Sequence, residues 1–274
     1  MVTGTPVDVS THIDASPDTV FDYLTTPNLL TQWHGSSAEL EPRPGGIYRV
    51  VLTDQHTVLG HFQEVDPGSR LVIGWGYESG EPTIPPDSTL LTLLLTPGTT
   101  GTNLELRHEG LPSQESTERH ADGWRFFLDR LGVFARQHEQ SLQVTQIIED
   151  YVAAWNEDDA DRRRTLLKRC WAEDGEYIDT YGPAAGIHTL DDRIGSVRQM
   201  LPGARLVRTT CINQMREFLR FGWSIAGPDA LPLATGLNVA HLQADGRLVQ
   251  VVSFGGELGV IADDISANPR NNAG

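Results

Sequence analysis

The chain has 274 residues, 39% of them hydrophobic, and a formal charge of −16 at neutral pH. That length fits two domains of ordinary size, and the acidic excess argues against nucleic acid or an anionic membrane as partner, since both select a basic face. The apolar runs are too short for a membrane span, and the start "MVTGTPVDVSTHID" lacks the basic residues and apolar core of a signal peptide, so a cytoplasmic protein is expected.

In chain order, "VDVSTHID" alternates as a strand. Ser16 is placed to cap a helix that opens on Pro17, and a second short helix runs from Pro27 to near Trp33. After the "PGG" turn come five strand-like runs, Ile47–Leu52, Val58–Val65, Arg70–Tyr77, Thr89–Thr96 and Thr102–Glu109, separated by turn signals. Short turns between consecutive strands predict an antiparallel sheet, and a long amphipathic helix must cover its apolar face. Residues 115–156 supply helical periodicity in two apolar stripes: Trp124, Phe127, Leu128, Leu131 and Ala135, then Ile147, Ile148, Tyr151, Val152 and Trp155. The polar "RQHEQS" between them predicts two helices with a hinge near Gln137 to Leu142; a single helix over both is the alternative. The domains expected on this division are 1–140 and 141–265, with 266–274 a disordered tail.

The phrases "IDASPDTVFDYLTTPNLLTQWH", "EPRPGGIYRV", "GHFQEVDPGSRLVIGW", "GTNLELRHEGLP" and "RHADGWRFFLDRL" resemble, in order, the branch of the START superfamily named after the activator of the heat-shock-protein ATPase. The resemblance implies a helix-grip fold over residues 1–140, with a cavity between sheet and long helix that takes a hydrophobic small molecule. Alternation places Leu71, Ile73, Trp75 and Tyr77 on one face, and Leu104, Leu106 and His108 on another; His61 sits with Leu59 and Val65. Trp75, His61, His108 and Trp124 are therefore the expected ligand-binding residues of this half, with His34 a further polar candidate. No HxH or HExxH spacing points to a metal, and no GxGxxG opens a helix, so neither metal nor cofactor is expected. The lone Cys170 and Cys211 read as buried thiols.

In the second half, helices over Val144–Asn156, Asp161–Arg169 and Leu190–Leu201 flank the short strand in "GEYIDTYG". Four strand-like runs follow, Arg205–Ile212, Glu217–Ala226, Leu233–Leu242 and Leu248–Phe254. The expected class is α+β throughout, here a cone in which three helices pack on a curved antiparallel sheet around a pocket. Residues 157–161 and Arg162–Arg164 read as solvated helix faces. "YVAAWNEDDADRRRTLLKRCWAEDGEYIDTYGPAAGIHTL" and "LQADGRLVQVVSFGGELG" resemble the SnoaL-like branch of the nuclear-transport-factor-2-like superfamily, which includes polyketide cyclases and ketosteroid isomerases.

Against the ketosteroid isomerase pattern, Tyr151 falls at the oxyanion-hole tyrosine and Asp179 at the proton-shuttling aspartate; Asn238 falls at the second oxyanion donor if no gap intervenes, and a one-residue gap puts Val239 there instead. The chain departs from that pattern twice: Thr180 follows the aspartate where proline is usual, and Asn238 is an amide where the family has an acid. Proton abstraction beside a carbonyl needs a desolvated carboxylate and fixed donors where enolate charge develops. The resemblance thus implies a cofactor-independent cyclase, isomerase or dehydratase acting on a hydrophobic carbonyl compound of polyketide, terpenoid or steroid-like type. Asp179, Tyr151 and Asn238 would be catalytic; Trp155, Tyr177 and His188 would bind ligand, and Glu257 is a weaker candidate. The alternative is a non-catalytic binder or sensor of a hydrophobic small molecule. SnoaL-like modules often pair through their sheets, so a homodimer is the partner the resemblance allows.

Overall fold

The computed structural model describes residues 4–256. The chain divides into two compact units, Met1–Ser141 and Leu142–Gly274. Glu257 and the expected tail lie outside the described residues.

The first unit opens with β1 (Val7–Ile13), α1 (Pro17–Thr25) and α2 (Pro27–Trp33). Ser16 Oγ accepts from the Thr19 amide, which satisfies one of the free donors at the start of α1 while Pro17 removes another. Seven further strands follow: β2 (Ser37–Leu40), β3 (Ile47–Val51), β4 (Thr57–Asp66), β5 (Arg70–Trp75), β6 (Tyr77–Ser79), β7 (Thr89–Pro97) and β8 (Thr102–Glu109). They form an antiparallel sheet in the order β1-β8-β7-β5-β4-β3-β2, with β6 paired to β4. Its inner face carries Leu71, Ile73, Trp75, Leu104 and Leu106, and these share one core with Trp124, Leu128, Leu131 and Ala135 of the helix that follows. The strand pairing of β2 and β6 was not evident from alternation, because each is three or four residues long.

That helix, α3 (Gln114–Trp155), is one element of 42 residues, which corrects the expectation of two helices with a hinge. The polar stretch read as a break has tertiary partners in the first unit. Glu139 accepts from the Ser16 amide, the Ser16 hydroxyl and the Thr19 hydroxyl, and His138 lies edge-on to Tyr23.

In the second unit, α4 (Ala160–Cys170), β9 (Trp171–Asp179), β10 (Gly182–Ala185) and α5 (Gly186–Met200) precede β11 (Arg205–Arg208), β12 (Asn213–Met215), β13 (Phe218–Ala226), β14 (Pro232–Leu242) and β15 (Leu248–Gly255). The sheet order is β10-β9-β15-β14-β13-β11, with β12 on β13. All pairs are antiparallel except β9 with β15, which run parallel. Ile148, Tyr151 and Trp155 of α3 pack with Leu167, Leu190, Ile194, Leu219, Phe221, Ala240 and Val251 in a second core.

Two expectations fail here. Arg163 is buried, because its guanidinium meets Asp191 of α5 at 2.5 Å and reaches the Glu157 carbonyl at 3.0 Å. Cys211 is exposed; only Cys170 is a buried thiol, and burial pushes it up to about 12. Among the described residues no helix is long and apolar enough to cross a membrane.

Candidate functional site

In the first unit a cavity of about 170 Å³ lies between the sheet and α3. Trp75 and Tyr77 line it from β5 and β6, and Trp124 and Phe127 from α3. His34, the residue that ends α2, and His56 contribute from the loops; His120 and Gly123 contribute from α3. Glu81 and Arg119 stand at its rim, 2.8 Å apart. The spacing of His120, Trp124 and Phe127, i, i+4 and i+7, turns all three to one face of the helix.

Hydrogen bonds fix two of the histidine tautomers. Trp124 Nε1 donates to His108 Nδ1 at 3.1 Å, so the His108 proton is on Nε2 and goes to Thr89 Oγ1 at 2.8 Å. The Thr89 hydroxyl in turn donates to the Trp75 carbonyl at 2.8 Å. His108 is therefore a satisfied wall residue behind the cavity, and burial holds its pKa down at about 3. His120 donates from Nδ1 to the Ser116 carbonyl at 2.7 Å, which leaves Nε2 as an acceptor; the Tyr77 hydroxyl reaches it at 3.4 Å. Burial lowers the His120 pKa, with the Ser116 carbonyl opposing. His34 stacks on Trp33 and meets Phe127 edge-on; burial brings its pKa to about 3, and its Nδ1 has no hydrogen-bond partner. Trp75 Nε1 is likewise buried without a partner.

His61 is not at this cavity. Val58 and Phe62 point into the core, so His61 projects outward, half-exposed, and Asp87 takes its backbone amide at 2.9 Å and its Nδ1 at 2.8 Å. Of the missed residues, His120 lies one turn before the apolar stripe and Gly123 directly before Trp124. Extending its spacing backwards would have found His120, but nothing in the sequence marks Gly123.

In the second unit Tyr151, Trp155, Tyr177 and Asn238 are all buried. Tyr151 stacks on Trp171 with centroids 6.0 Å apart and meets Trp155 at 6.2 Å, while Trp155 and Tyr177 are 5.3 Å apart. Tyr151 faces Asn238 and Trp155, yet Asn238 Oδ1 and Trp155 Nε1 have no hydrogen-bond partner. Burial raises Tyr151 well above an ordinary phenol and pushes Tyr177 up to about 12. Asp179 sits near Tyr177, but its Oδ1 is bound by the Arg193 guanidinium and by the Tyr181 amide at 2.8 Å. It is an ion-paired turn carboxylate, whereas the predicted role needs a free, desolvated one. His188 is exposed near the start of α5 and lines nothing buried. Among the described residues no cluster of histidine, cysteine and carboxylate side chains could hold a metal.

Residues 14–135 match the family described as activator of Hsp90 ATPase homolog 1-like protein (AHSA1). A solution structure of an AHSA1-like protein from Rhizobium etli is 38% identical, with 48% of this chain and 82% of that one covered and a TM-score of 0.41. Residues 14–135 form an AHSA1-like domain. Strands β2 to β8, the part of α3 up to residue 135 and every residue lining the cavity fall within that stretch. The chain is also similar to the crystal structure of a candidate isomerase of the SnoaL-like family from Agrobacterium tumefaciens, at 35% identity over 42% of this chain and 99% of that one, TM-score 0.40. A third similar structure is CalU16 from Micromonospora echinospora, at 28% identity over 47% of this chain and 75% of that one, TM-score 0.40. No curated protein matches the chain.

Proposed function

We propose that the protein binds a hydrophobic small molecule in the cavity of its AHSA1-like unit. The observation that carries this is a void walled by Trp75, Tyr77, Trp124 and Phe127 with a glycine in its helical wall. A β-carbon added at Gly123 meets nothing within 4 Å. Glycine inside a helix is ~1 kcal/mol worse than alanine, so this position gives up stability and keeps space. Size bounds the occupant. A dry engineered cavity of ~150 Å³ holds one benzene, so about 170 Å³ suits a single substituted ring. Drug-sized ligands fill clefts of ~300 Å³ or more, so a single ring matches this space better than a multi-ring compound.

Gly123→Ala should raise stability by ~0.5–1 kcal/mol through helix propensity alone. Gly123→Phe should fill the void and abolish any thermal shift produced by a ring-sized ligand, as read by differential scanning calorimetry of the full chain. Mass spectrometry of the protein as purified is the way to identify its natural occupant. A Gly123→Phe protein that still shows the full ligand shift puts binding elsewhere and ends this reading.

A second reading, acid–base catalysis on a carbonyl compound in the second unit, draws support from the buried Tyr151–Asn238 pair with its unpartnered amide oxygen. The likeness to a SnoaL-like protein points the same way. The Arg193 contact weighs against it, since a base must give up that pairing to take a proton. Under this reading Asp179→Asn removes turnover and leaves affinity intact; unchanged turnover of an identified substrate sinks it.

A further inference from the structure

We infer that the cavity of the first unit is built for a neutral one-ring hydroxyl compound, a phenol or enol, whose O–H hydrogen is accepted by Nε2 of His120. This rests on the small-molecule reading above and names the chemistry of that site.

The tautomer comes first. Because the Ser116 carbonyl can only accept, the 2.7 Å contact puts the proton on Nδ1 and a lone pair on Nε2. The partner shown for that lone pair is the Tyr77 hydroxyl at 3.4 Å, long beside the usual ~2.8 Å for a hydroxyl donor. His120 is only 7% exposed, so the acceptor is desolvated and poorly satisfied at once. Such an atom gains more from an incoming donor than an exposed one does. Tyr77 is half-buried at the edge of the cavity and can turn its hydroxyl to water when displaced.

The remaining walls select the rest of the molecule. Trp75 lies edge-on to His120 with centroids 5.4 Å apart and an interplanar angle of 83°, and Trp124 is 6.3 Å from Trp75. Flat, rigid faces at these angles suit a ring. Charge is disfavoured in either sign. Arg119 and Glu81 at the rim are engaged with each other at 2.8 Å, so neither an anion nor a cation meets a free counter-charge among the lining residues. A ring bearing only a carbonyl brings no hydrogen for Nε2.

The test compares p-cresol with p-xylene, which replaces the hydroxyl by a methyl of similar size, by isothermal titration against the full-length protein. The readout is the p-cresol to p-xylene affinity ratio across variants, which cancels the different hydration of the two probes. That ratio should fall ~10-fold in His120→Phe, where ring volume stays and the acceptor goes. In Tyr77→Phe it should stay the same or rise, because a competitor for Nε2 is removed. A ratio unchanged in His120→Phe overturns the inference and leaves the binding reading standing. So does a ratio that drops in Tyr77→Phe, which decides the matter if His120→Phe does not fold. If neither probe binds the wild-type protein, the inference and the binding reading fall together.

Discussion

Acidification from pH 7 to pH 4 is expected to cost the AHSA1-like unit most of its stability. His34 and His108 are buried and neutral, each with a pKa near 3 in the fold against 6.5 when exposed. Above pH 6.5 neither state holds these protons, and stability does not depend on them. Below pH 6.5 the unfolded chain takes protons that the fold refuses, so stability falls with pH until about pH 3. The slope is ~1.4 kcal/mol per pH unit for each such histidine. Two of them acting over two units approach the whole stability of an ordinary domain, ~5–15 kcal/mol. His120 adds in the same direction. Hydrogen exchange read on peptides from β5 and β8 should show protection lost between pH 6.5 and pH 4. His34→Phe removes one of these sites and an unpartnered nitrogen, so it should flatten the profile by roughly one histidine's share. Protection that stays constant from pH 7 to pH 5 contradicts the burial of these rings.

The parts of the fold that follow from local chemistry were legible. Ser16 and Pro17 set the start of α1, and the turns after β3, β4, β6 and β7 were read in the right places because short antiparallel strands need little else. What could not be read was which polar residue meets which. Glu139 reads as solvent-facing until Ser16 and Thr19, about 120 positions earlier, are brought to it. Alternation grouped His61 with Leu59 but could not say that Val58 and Phe62 own the inward face. Trp75 and Trp124 were visible as apolar residues in register, whereas His120 was hidden by its polarity and Gly123 by its lack of a side chain. Asp179 shows the same limit from the other side: its motif was legible, and Arg193, which binds it, was not.

Arg163 is the clearest case of a long-range partner deciding a residue's fate, and it carries the second large effect. Asp191→Ala should destabilise the second unit by ~3–5 kcal/mol, because it strands a desolvated guanidinium. Both side chains of the pair are about 95% buried, with 6% and 5% exposure, so water cannot replace what is lost. Asp191 also accepts from Arg164 at 2.7 Å, and Arg163 holds the Glu157 carbonyl, so the pair ties α4 to α5 and to the segment before α4. The exposed pair Arg125–Asp122 is the contrast: at 60% and 82% exposure its removal should cost ~0–1 kcal/mol. The cost in Asp191→Ala is that of an orphaned charge more than of a lost attraction, and a double variant separates the two. Arg163→Met with Asp191→Leu removes both charges and keeps apolar volume, so it should recover most of the loss. Urea denaturation of the three proteins, followed through exchange of α4 and α5 amides, measures this. A single variant that melts like the wild type would mean the guanidinium finds water, and the buried-pair account of Arg163 would then be wrong.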